Sequence, residues 1–142
     1  MEIRPARTSD LAAVQALLRE AGLPWEDIAP HFGAFLVGEQ DAALVASAGF
    51  EQYGADALVR SVAIAAELRS AGLGAALCDT LLGAARRRGV RDAYLLTTTA
   101  PRFFARLGFS PIAREQAPPA IRATRELAEL CPASAALMHR VL

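Results

Sequence analysis

The sequence predicts an α/β fold of the α+β kind, in which about seven strands form one mixed, mostly antiparallel central sheet flanked by helices. Three observations carry that expectation. Four β-rich stretches before residue 65 follow one another across short turns, the pattern of an antiparallel meander. A strand, a glycine-containing loop, a long apolar-periodic helix and another strand then occupy residues 58–99. With 142 residues and 54% hydrophobic content, the chain can bury a substantial core without staples.

Taken in order, residues 3–6 read as a first strand. Thr8 or Ser9 caps a helix whose apolar positions are Leu11, Val14, Leu17 and Leu18, and which stops at Gly22. Residues 24–31, with Trp25, Ile28 and His31, read as a helical turn or loop. Strands follow at 34–38 and 42–52, joined at Glu39-Gln40-Asp41, and Tyr53-Gly54-Ala55-Asp56 turns the chain into a strand over 58–64. The helix over 72–88 ends in Arg86-Arg87-Arg88, a cationic last turn that suits its dipole, and stops at Gly89. A strand over 94–99, a short helix closed by Gly108, a strand near Ile112, a helix over 119–130 and a strand over 134–141 complete the chain. No linker, repeat or low-complexity tract divides it, so one domain over 1–142 is expected.

Composition narrows the function. Fifteen basic and fifteen acidic residues leave zero net charge, which gives no electrostatic case for nucleic acid or an anionic membrane as the main partner. The first residues carry no signal-peptide pattern and no apolar run reaches about 18 residues, so a cytoplasmic location is expected. Cys78 and Cys131 lie in different elements with neither metal-ligand nor redox spacing, and read as buried free thiols.

The most informative stretch is Arg69-Ser70-Ala71-Gly72-Leu73-Gly74, an R-x-x-G-x-G run between a β-branched segment and a long helix. A short loop without bulk at Gly72 and Gly74 that opens a helix aims several unpaired N–H groups and a positive dipole end at one point, which suits a pyrophosphate. A P-loop would need Lys-Ser/Thr after the second glycine, whereas Ala75-Ala76 follow Gly74 and the chain has no lysine. A dinucleotide fingerprint would need G-x-G-x-x-G after an early strand, with an acid about 20 positions on.

Two further segments add specificity: Tyr94-Leu95-Leu96-Thr97-Thr98-Thr99, and Arg102-Phe103-Phe104-Ala105-Arg106-Leu107-Gly108-Phe109. Strand, R-x-x-G-x-G, helix, strand and then F-F-x-R-L-G-F, in this order and spacing, resemble the GNAT superfamily of acetyl-coenzyme A-dependent N-acetyltransferases over nearly the whole chain. The resemblance implies direct transfer of the acetyl group from acetyl-CoA to a primary amine of a small molecule, in a sheet splayed between its fourth and fifth strands. It implies that the backbone N–H of Val62 polarises the thioester carbonyl. The pantetheine arm would then pair along Val62, Ala63 and Ile64 as an added strand. The phosphates would lie on Arg69, Ser70, Ala71, Gly72, Leu73, Gly74 and Ala75, and Thr97, Phe104 and Arg106 would complete the CoA site. A monomer or homodimer with no metal is expected.

Two positions depart from the family. Phe104 stands where many members carry a tyrosine able to protonate the leaving thiolate, and Leu58 stands where some carry a glutamate base. Proton transfer then falls to water, to an amine that arrives neutral, or to another side chain; Glu51, His31, Ser61, Thr97 and Thr98 are candidates. His139 reads as structural.

Arg60 sits in the apolar strand Leu58-Val59-Arg60-Ser61-Val62-Ala63-Ile64, where an unpaired guanidinium is costly. It has to meet an acid, carbonyls, water or an anionic ligand; a substrate carboxylate suits its bidentate fork, and a salt bridge to Glu51 or another acid is the alternative. Arg60, Ser61, His31 and Thr98 are the expected substrate contacts. Segments 58–64, 95–100 and 130–135 are similar to a GNAT branch named for arsenic-resistance operons, which implies an amino acid-like toxicant as acceptor. The alternative is a catalytically weak CoA-binding sensor or interaction module.

Overall fold

The computed structural model describes residues 1–69 and 72–142. Seven strands form one sheet: β1 (Glu2–Pro5), β2 (Phe35–Gln40), β3 (Ala43–Tyr53), β4 (Asp56–Ile64), β5 (Asp92–Thr97), β6 (Ser110–Ile112) and β7 (Ala136–Val141), in the spatial order β1-β2-β3-β4-β5-β7-β6. Every neighbouring pair is antiparallel except β4 and β5, which run parallel because α2 (Leu73–Arg87) carries the chain between them. The remaining helices are α1 (Leu11–Glu20), α3 (Pro101–Arg106) and α4 (Pro119–Arg122). No helix among the described residues is long and apolar enough to cross a membrane.

The core is built in layers around β3 and β4. Leu77, Leu81, Leu82 and Ala85 of α2 bury against Ala48, Phe50, Val59 and Leu95. A second cluster joins Val14 and Leu18 of α1 to Ile28, Phe35, Val37 and Ala63, and a third joins Leu58, Tyr94, Ile121 and Leu137.

The sheet is open where the mixed topology requires it. The β4–β5 register runs from Asp56↔Asp92 to Val59↔Leu95 and stops there, so residues 60–64 of β4 have no strand beside them on that edge. On the other edge, Gly49 faces Arg60 and Ser47 faces Ala63, so Ser61 and Val62 together oppose Ala48 in a bulge. The extra residue switches the strand's parity. Ala57 and Val59 pack into the α2 cluster before the bulge and Val62 and Ile64 do so after it, while Leu58, Arg60 and Ala63 turn away.

Ser61 holds the bulge at φ +60°, and its carbonyl accepts a buried hydrogen bond from Ser47 Oγ at 2.8 Å. A β-branched side chain is strongly disfavoured in that conformation. Ser61→Ile is expected to lower stability by roughly 1–3 kcal/mol in a denaturant titration. Ser61→Gly, which accepts the positive φ but gives up the Oγ that Arg60 Nε donates to, should lose less than isoleucine, and an unaffected isoleucine variant would argue against the left-handed bulge.

Two expected elements differ. The strand expected over 94–99 ends at Thr97, because Thr97 Oγ1 accepts the Ala100 N–H at 3.0 Å and bends the chain at Thr98-Thr99. The single helix expected over 119–130 is broken. After α4, Thr124 Oγ1 donates to the Ile121 carbonyl at 2.8 Å and accepts from Leu127 N–H, and the chain resumes as a π turn over Glu126–Leu130.

Candidate active site

Beyond Val59 the open edge of β4, the end of β5 and the start of α2 enclose a cleft of about 910 Å³. One end has the character of an anion site. Gly72 caps α2 at φ +78°, a conformation suited to glycine, and leads straight into the first helical turn. A Cβ at Gly74 would stand 3.2 Å from Phe103 Cζ, so glycine keeps the floor of this end low. Arg69 also lines the cleft, and its Nε donates to the Ile64 carbonyl at 3.2 Å. Ser70 and Ala71, also expected at the phosphates, lie outside the described residues.

Most of the expected residues come together here. Arg60, Ser61, Val62, Ala63, Ile64, Arg69, Gly72, Gly74, Ala75, Thr97, Thr98, Phe104 and Arg106 all line the cleft. Leu73, Glu51 and His31 do not. Leu73 is on the first turn of α2 but is not part of the lining, and Glu51 and His31 stand behind Arg60. Phe104 is 8% exposed and offers an aromatic surface without a proton. Leu58 is fully buried in the third core cluster.

At the opposite end, Arg60 meets carboxylates and not an open acceptor site. Its Nη1 and Nη2 donate bidentately to Asp27 at 2.6 Å each, and Nη1 also donates to Glu51 Oε2 at 2.7 Å. Its Nε donates to Ser61 Oγ at 3.1 Å and lies 3.2 Å from Glu126 Oε2. The guanidinium side chain is 0% exposed. Three acids thus surround one cation, and the donors expected to read a substrate carboxylate are spent on the protein.

Glu51, expected as a free candidate base, is equally committed. Its Oε2 accepts from Arg60 and its Oε1 from the Tyr53 hydroxyl, and His31 Nε2 approaches that same Oε1 at 3.5 Å. Burial raises Asp27, but the hydrogen bonds and charge of Arg60 outweigh it and hold that carboxyl below its ordinary range. Burial also raises the Tyr53 hydroxyl, and the hydrogen bond to Glu51 raises it further.

Glu126 is different in kind. It lines the cleft at 5% exposure, and its Oε2 has no hydrogen-bond partner among the described residues, because the nearby Arg60 Nε gives its proton to Ser61. Burial pushes its carboxyl up to about 7; Arg60 pulls it down, and Glu51 and Asp27 push it up. Cys131 beside it is pushed up to about 12 by burial and then by the Glu126 charge. Sequence reasoning missed both Asp27 and Glu126. The charge of Arg60 within an apolar strand signalled that acids were needed, but neither a loop residue nor one hidden in a broken helix announces itself locally.

Solved structures share this architecture. N-acetylglutamate synthase from Neisseria gonorrhoeae, complexed with coenzyme A and N-acetyl-glutamate, superposes with a TM-score of 0.85 at 22% identity, covering 99% of this chain and 35% of that one. The chain therefore spans about a third of that protein. Rv2747 from Mycobacterium tuberculosis, in complex with CoA, gives a TM-score of 0.84 at 23% identity and covers 100% and 99% of the two chains. Ard1 from Thermoplasma volcanium gives 0.76 at 18% identity over 99% and 97%. These likenesses bear on the fold. Membership rests on the sequence itself: residues 31–111, more than half of the chain, match the acetyltransferase (GNAT) domain, and the chain belongs to that family.

Proposed function

We propose that this acetyltransferase moves the acetyl group of acetyl-CoA directly to the primary amine of a small, amino acid-like molecule, as one domain spanning residues 1–142 in the cytoplasm. The observation that carries the reading is the open β4 edge next to the bulge. Residues 60–64 have no strand partner on the cleft side, so an extended amide-bearing arm can add there as a strand would. The bulge gives Val62 a place in the cleft from which its N–H can meet a thioester oxygen, a preorganised donor of the oxyanion-hole kind. Gly72, Gly74 and Arg69 at the far end fit the phosphates. The coenzyme A complexes of two structural neighbours support the same cosubstrate, and the N-acetyl-glutamate in one of them supports an amino acid-like acceptor.

Val62 would polarise the carbonyl, Phe104 would pack beside the sulfur, and Thr97, Thr98 and Ser61 would border the acceptor. The similarity of segments 58–64, 95–100 and 130–135 to the arsenic-resistance branch supports including a toxic amino acid analogue among the acceptors. Phe104 and the buried Leu58 favour a second reading, a CoA-binding sensor, since neither supplies acid or base.

One experiment separates the readings: thiol release from acetyl-CoA across a panel of amines, amino acids and their phosphorus and arsenic analogues, beside calorimetry of CoA binding. Release with at least one amine is expected. Binding without release for any acceptor would assign the sensor, and absence of binding would remove both.

A further inference from the structure

We propose that Glu126 receives the acceptor's ammonium group and takes its proton before attack on the thioester. The inference rests on the acetyl-transfer reading and goes beyond it by naming a base that lies outside both sequence motifs. The π turn that follows the break at Thr124 turns Glu126 inward. Its side chain then lines the same cleft as Arg60, Ser61 and Val62, with Oε2 3.2 Å from Arg60 Nε. Glu126 belongs to the cleft lining although it is 5% exposed; the Cys131 thiol and the Arg60 Nε 3.2 Å from Oε2 are its neighbours, and they leave the carboxylate with unused acceptor capacity for a donor that enters the cleft.

The charge balance favours a cation there. Asp27, Glu51 and Glu126 face one guanidinium, and Arg60 gives two hydrogen bonds to Asp27, one to Glu51 and one to Ser61. A primary ammonium brings three donors and one positive charge, which supply what the third carboxylate lacks.

The chemistry needs such a group. An aliphatic amine with a pKa near 10.4 arrives protonated at neutral pH and has no lone pair for the thioester carbon. One proton passes from the ammonium nitrogen to the Glu126 carboxylate. The freed lone pair forms the C–N bond, the C–S bond breaks with its electrons on sulfur, and the second proton on nitrogen goes to the thiolate. Glu126 then returns its proton to solvent, so one proton is released per turnover. A carboxyl raised to about 7 by burial is matched to this task, since an ordinary glutamate is a weaker base. The groups facing it are Arg60 of β4, Glu51 of β3 with Tyr53 and His31 behind it, Asp27 from the loop before β2, and Cys131, with Arg114 beyond Cys131.

The test compares Glu126→Gln with wild type, using an aliphatic primary amine that is protonated at pH 7 and a weakly basic amine that is already neutral. Wild-type kcat/KM for the protonated amine is expected to fall as pH drops through about 7, as Glu126 takes up its proton. The glutamine variant should lose that limb, with about 10²–10⁴-fold lower kcat for the protonated amine, a much smaller loss for the neutral one and unchanged acetyl-CoA affinity. Equal losses for both amines with a lowered Tm would make Glu126 a strut. A limb that persists in Glu126→Gln but vanishes in His31→Gln would move the role to His31. A wild-type protein that turns over no amine would bring down the acetyl-transfer reading itself, whereas turnover unaltered by Glu126→Gln would overturn only the role of Glu126.

Discussion

Arg60→Ala is expected to destabilise the protein by about 3–5 kcal/mol and to lower its Tm by roughly 10–20 °C. The size follows from what is left behind. Asp27, Glu51 and Glu126 all lie within 3.2 Å of the guanidinium, their side chains 7%, 3% and 6% exposed, and without it three like charges share a buried site. Lysine should recover only part of the loss, since one ammonium cannot reproduce the bidentate hold on Asp27 together with the bond to Glu51.

The pH dependence gives an independent check, and its sign is fixed by the direction of each shift. In wild type, Asp27 is held below its unfolded value, so its stabilisation is present above that value and fades as pH falls. Glu126 works the other way. Its folded value of about 7 lies above the usual 4.5, so the folded state binds the extra proton between them and this group subtracts stability as pH rises across that window. Without Arg60, Asp27 and Glu126 lose the counter-charge that pulls them down and move upward, so the gap between variant and wild type should narrow on acidification. Thermal melts from pH 5 to pH 8 read this directly. An Arg60→Ala protein with an unchanged Tm and a raised KM for an amino acid acceptor would instead mean that the guanidinium reads substrate.

Much of the fold was legible because its signals are local. Alternating and β-branched runs marked the meander, Gly89 and Gly22 marked helix ends, and the R-x-x-G-x-G spacing marked the phosphate end of the cleft. Element ends shifted by a residue or two, as at β2 and β7, where end residues lack patterning of their own. The bulge was not legible. Ser61 adopts φ +60° without being glycine, and the reason lies in the Ser47 hydroxyl on the neighbouring strand.

The acceptor end was legible only in part, for the same reason. Arg60 announced a need for negative charge, and Glu51 on the adjacent strand was a fair candidate. Asp27 arrives from a loop, and Glu126 from a helix that Thr124 interrupts, so their convergence exists only in the tertiary structure. A continuous helix over 119–130 would have carried Glu126 as one more polar helical position.

Gly74→Asp is expected to weaken acetyl-CoA binding by about 100-fold or more, since bringing like charges together at a close-packed interface costs several kcal/mol and each 1.4 kcal/mol is tenfold. The fold should survive. Gly74 lies in the first turn of α2 without a positive φ, and an acid at a helix N-terminus interacts favourably with the dipole by about 0.3–1 kcal/mol. The added Cβ would press on Phe103 Cζ at 3.2 Å, and this ring, only partly buried, has to give by a few tenths of an ångström. Gly74→Ala isolates that steric part and should lose far less affinity than aspartate, while Gly74→Asn separates charge from size. The aspartate penalty should also shrink with added salt, because it is a charge effect on a solvent-accessible wall. Calorimetry beside a thermal melt decides the matter: a folded Gly74→Asp protein that binds acetyl-CoA like wild type would mean that the phosphates do not lie on the start of α2, and the glycines there would then serve only the turn into the helix.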